Sequence, residues 1–77
     1  MPNHTLEWEH LVKTERDIVE GEWRVTRQML LIEKLRQAGH ATAEAEKLLL
    51  TLEDTLEDWW AHRDEILRNL ERHSAIH

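Results

Sequence analysis

Gln37-Ala38-Gly39-His40-Ala41-Thr42-Ala43-Glu44-Ala45-Glu46 combines a helix stop with a helix start, and its reading decides the fold. Gly39 can take the left-handed conformation that closes a helix, and Lys34 and Arg36 put positive charge near the negative end of the helix dipole. Thr42 can accept a hydrogen bond from an exposed N–H of the next turn, and Glu44 and Glu46 then lie near the positive end of the following helix. At the front, Asn3 or Thr5 suits an N-cap, and at the back Arg68, Arg72 and His73 suit a C-terminus before the tail frays. The expectation is two helices over 5–38 and 42–73, each roughly 50 Å long at ~1.5 Å per residue, in one domain over 1–77. No segment reads as a strand.

Helices of equal length joined by so short a connection fold back antiparallel, because no other path buries both apolar stripes. A heptad register places Leu11, Ile18, Val25 and Ile32 at position a of the first helix, with Thr14, Gly21, Gln28 and Leu35 at d. On the second helix it places Ala45, Leu52, Trp59 and Ile66 at a, with Leu48, Thr55, His62 and Asn69 at d. A turn centred on His40 then levels Leu35 with Ala45, Ile32 with Leu48, Gln28 with Leu52 and Val25 with Thr55. Farther out it levels Gly21 with Trp59, Ile18 with His62, Thr14 with Ile66 and Leu11 with Asn69. Gly21, which costs about 1 kcal/mol relative to Ala in mid-helix, would make room for the Trp59 indole. A slip of one turn, with His62 opposite Gly21, stays open.

Apolar residues extend beyond this seam, at e and b: Trp8, Val12, Val19 and Met29 on the first helix, and Leu49, Leu56, Trp60, Leu67 and Leu70 on the second. In an antiparallel pair both e stripes lie on one side of the hairpin, so these nine residues form the expected dimer interface. The far side carries interspersed charges, with Arg24 and Asp58 as a candidate ion pair across the hairpin.

The stretch Gly39-His40-Ala41-Thr42-Ala43-Glu44-Ala45-Glu46-Lys47-Leu48-Leu49, with Gly21 and Gln28 before it and Ala61-His62-Arg63-Asp64 after it, resembles a group of short bacterial helical-hairpin proteins of unknown function. The resemblance implies a helical hairpin and a bacterial setting. It brings no activity and no cofactor.

Sixteen acidic against ten basic residues leave a net charge of −6, which opposes nucleic-acid binding, since that depends on neutralising phosphates with Lys and Arg. Without cysteine there are no disulfides, thiolate nucleophiles or sulfur metal sites. The only serine, Ser74, sits near the end, so no catalytic residue is assigned and the protein is read as non-enzymatic. Met1-Pro2-Asn3-His4-Thr5-Leu6-Glu7-Trp8-Glu9 has no basic stretch followed by an apolar one, and the longest apolar run is Leu48-Leu49-Leu50. A cytoplasmic, non-membrane protein is expected.

Glu7 and His10 share the Glu-x-x-His spacing of carboxylate-bridged metal sites, and Asp58 and His62 are at i, i+4. Those sites take inward ligands from four helices, whereas this register puts Glu7 at d but His10 at g. No metal or other cofactor is therefore assigned. His62, at d, reads as a neutral imidazole hydrogen-bonded to Asp58, Thr55 or water, and Gln28, Thr55 and Asn69 as polar layers that specify register. The four tryptophans, Trp8, Trp23, Trp59 and Trp60, read as contact anchors rather than a ligand box.

Two helices cannot enclose a residue on all sides, while ordering a chain this size costs on the order of 100 kcal/mol. The expected protein is therefore a homodimer, an antiparallel four-helix bundle of coiled-coil character serving assembly or partner binding. The alternative is a bundle that binds a metal ion or small ligand around His62, Gln28 and the tryptophans.

Overall fold

A computed structural model describes residues 4–75 as two helices, α1 (His4–Gln37) and α2 (Ala43–Ala75), packed against each other with no strand among the described residues. They form a rod with principal extents of 61 × 15 × 14 Å and a radius of gyration of 17.7 Å. A compact chain of this length would have about 11–12 Å. α1 begins at His4, so Thr5 lies inside the helix and does not cap it; Asn3, the other candidate cap, lies outside the described residues. α2 runs through His73 and Ser74 to Ala75, beyond the expected end.

The reversal follows the local chemistry read from the sequence. Gly39 has φ 76°, its N–H donates to the Arg36 carbonyl (3.1 Å), and the His40 N–H donates to the Leu35 carbonyl (2.8 Å). This crossed pair is a Schellman closure, with glycine at the one position that needs left-handed backbone. The Thr42 carbonyl accepts the Glu46 N–H at 2.8 Å, the first bond of α2.

The packing register differs from the expected one. A Cβ built on Gly21 would meet Leu56 Cδ1 at 3.2 Å, so Gly21 stands against Leu56, three residues short of the expected Trp59. Nearer the turn, Gln28 reaches the Ala45 carbonyl rather than the expected Leu52. α1 keeps its expected face: Leu11, Thr14, Ile18, Gln28 and Ile32 are buried, and Gly21, Val25 and Leu35 half-buried. α2 is rotated. Leu48, Thr55 and His62, expected in the seam, are exposed, whereas Leu49, Leu56 and Leu70, expected at the dimer interface, are half-buried beside Leu52, Trp59 and the buried Ile66.

The physical reason is the content of the two competing lines on α2. The line 48, 55, 62, 69 holds one leucine and three polar side chains, and the line 49, 56, 63, 70 holds three leucines and an arginine. Burying a leucine is worth about 1.5–3 kcal/mol, and burying an unpartnered polar group costs a comparable amount. Asn69 of the first line stays half-buried and accepts from Arg72 Nη2 (2.5 Å), while exposed Thr55 donates its Oγ1 to the Thr51 carbonyl (3.0 Å). Arg63 is half-buried, its guanidinium carbon 5.6 Å from the Trp60 ring centroid.

Candidate interaction surface

Gln28 is buried as expected of a seam residue, but its partner is Ala45 rather than the Leu52 layer. Its Nε2 donates to the Ala45 carbonyl at 2.8 Å, a part-buried bond that ties α1 to the first turn of α2. A carbonyl has two lone pairs, so this bond adds to the helix ladder without replacing a rung. Arg36 makes a second cross-helix tie, with Nη2 3.3 Å from Glu46 Oε1 and Nη1 3.3 Å from Glu33. Arg24 pairs with Glu20 on its own helix at 2.8 Å rather than with Asp58. These pairs are exposed and contribute some ~0–1 kcal/mol each.

His62 and the tryptophans do not converge on one centre. Trp59 is half-buried, its ring edge-to-face with exposed His62 at 6.1 Å and 5.6 Å from Lys13 Nζ, which itself pairs with Asp17 at 2.8 Å. Gln28 bonds Ala45, which lies seventeen residues before His62 on α2, about 25 Å at ~1.5 Å per residue. Trp8 and Trp23 are fifteen residues apart on one helix, about 22 Å. Among the described residues no three of His, Cys, Asp and Glu group as metal ligands; His10 is exposed beside half-buried Glu7. Within one hairpin His62, Gln28 and the four tryptophans therefore share no common centre.

What the surface does offer is apolar. Leu6, Trp8, Val12, Val19, Trp23, Met29, Leu30, Leu31, Leu48, Leu50 and Trp60 are 42–66% exposed, against four buried apolar residues among the described ones, Leu11, Ile18, Ile32 and Ile66. Trp8, Val12, Val19, Met29 and Trp60 of the expected interface are exposed, and Leu67 is half-buried.

Trp23 and Leu30 were outside the expected set. Together with Trp8, Val12 and Val19 they fall at intervals of 4, 7, 4 and 7, within about 60° of arc on a helix turning 100° per residue. The signal is legible in the sequence as an 11-residue repeat, but a 7-residue labelling scatters it over e, b and f. A shallow recess of about 330 Å³ lined by Thr5, Trp8, Glu9, Val12, Lys13 and Arg16 lies at the head of this stripe.

No family model, no curated protein and no solved structure matches the chain. No helix among the described residues is long and apolar enough to cross a membrane.

Proposed function

We propose that this chain is a non-catalytic assembly module that works in the cytoplasm as a homodimer of hairpins, a four-helix assembly able to present its polar faces to a protein partner. One observation carries the reading: among the described residues eleven large apolar side chains are exposed and four apolar ones are buried. The accessible surface supports it. At 6223 Å² it exceeds the ~5,000 Å² of a compact 9.3 kDa monomer by about 1,200 Å², more than the ~800 Å² each partner buries in a standard interface.

Sedimentation of the untagged protein at micromolar concentration tests this. The expected result is a dimer that Val19→Glu, on an exposed valine, dissociates while Asp54→Lys leaves it intact. A stable, fully helical monomer overturns the reading. Leu56→Glu is not the equivalent test, because Leu56 faces Gly21 inside the hairpin and its loss disrupts the protomer first.

A further inference from the structure

The stripe Trp8, Val12, Val19, Trp23, Leu30 has oppositely charged borders. At 100° per residue, Glu15, Glu22 and Glu33 lie along one edge and Arg16, Arg27 and Lys34 along the other, with Glu9 departing from the pattern. All six border residues are exposed. Glu33 engages Arg36 at 3.3 Å in the hairpin, an exposed contact that exchanges readily for another cation. Thr5 and Thr26 fall inside the same arc as the apolar residues, so the stripe extends from the first turn of α1 to its last third.

These borders discriminate between the two ways of laying the stripe on itself. When two identical helices pack antiparallel, each border meets its own kind whatever the offset, glutamate against glutamate and arginine against arginine. When they pack parallel and in register, each border meets the opposite one: Glu15 beside the copy's Arg16, Glu22 beside Arg27, Glu33 beside Lys34. Like charges oppose the first arrangement and opposite charges support the second, and the two-fold axis repeats every such contact.

We infer that the occupant of the stripe is a second copy of this chain, docked α1 against α1 in parallel and in register. Trp8, Val12, Val19, Trp23 and Leu30 each meet their own counterpart, and both turns lie at one end of the assembly. At Val19 the stripe lies roughly 130° around α1 from the seam, so the four helices stand in the order α2, α1, α1, α2, an open array in place of a closed square. This rests on the homodimer reading and specifies its contact.

The absence of cysteine makes the test clean. Thr5→Cys and Thr26→Cys remove no apolar contact and lie twenty-one residues apart, about 31 Å along α1. With each variant dimeric by sedimentation, a parallel contact lets both form disulfides with themselves on oxidation. A dimer in which at most one of them does so, or in which they link only to each other in a mixture, overturns the inference and leaves the homodimer reading standing. A monomer overturns both and assigns the stripe to another protein or a lipid surface. Independently, Glu22→Arg should raise the dimer dissociation constant about tenfold, since two symmetry-related contacts turn repulsive, and adding Arg27→Glu should restore it. Failure of the double variant to recover also overturns the parallel contact.

Discussion

At the scale of single residues, Gly21 decides how closely the two helices approach. The 3.2 Å separation between its built Cβ and Leu56 Cδ1 is tight, but Leu56 is only half-buried and borders a recess of about 150 Å³, so the leucine methyl can give way. Gly21→Ala is therefore expected to gain net stability, up to ~1 kcal/mol from helix propensity less a small repacking cost. Gly21→Leu is expected to lose ~1–2 kcal/mol, because overpacking a filled contact outweighs the same propensity gain. Thermal melting of both variants checks the order, and a Leu variant more stable than the Ala variant would remove Leu56 as the neighbour. His62 carries the opposite expectation. As an exposed side chain touching Trp59 only edge-on, it should tolerate His62→Gln within ~0.5 kcal/mol, read by thermal melting. A histidine buried in the seam would instead cost more than that on substitution.

At the scale of elements, the turn and the second helix illustrate different kinds of information. The turn is local. Gly39 at φ 76° meets nothing within 4 Å of a built Cβ, so a substitution there is opposed by backbone conformation alone. Gly39→Ala should cost ~1–2 kcal/mol and Gly39→Asn less, because asparagine tolerates the left-handed region. Equal melting temperatures for glycine and alanine at this position would contradict the Schellman closure. The face of α2 is not local. Positions 45, 52, 59 and 66 belong to the seam in either labelling, and the choice of 49, 56, 63, 70 over 48, 55, 62, 69 depends on comparing burial of leucines with burial of Thr55, His62 and Asn69. That comparison becomes available only when α1 supplies Gly21 as the recess for one of those leucines and Gln28 as a donor to the start of α2.

At the scale of the whole molecule, charge and exposed apolar area act together. Protonating the six histidines would move the formal charge from −6 to 0, and the isoelectric point near 5.4 lies where that neutralisation completes. Solubility should pass through a minimum close to pH 5.4 while helicity persists, because the apolar stripe stays exposed or self-associated as electrostatic repulsion between particles disappears. Turbidity and circular dichroism recorded together across pH 7 to 4.5 check this; loss of helix preceding turbidity would show that acid acts on the fold. A dimer whose stability depends on association also melts at a temperature that rises with protein concentration, whereas a self-sufficient hairpin does not.

The sequence by itself determined the two helices, their reversal at Gly39 and the seam face of α1, because glycine at a left-handed position, capping charges and a run of apolar heptads act over a few residues and have few alternatives. It also held the stripe of Trp8, Val12, Val19, Trp23 and Leu30, hidden only by counting in sevens where the repeat is eleven. Tertiary structure alone decided which side of α2 is buried, the contact of Gly21 with Leu56, and the exposure of His62. The physical reason is that an antiparallel helix pair can rotate and slide with little change in backbone energy, so its register is chosen by side chains distant in sequence competing for the same burial.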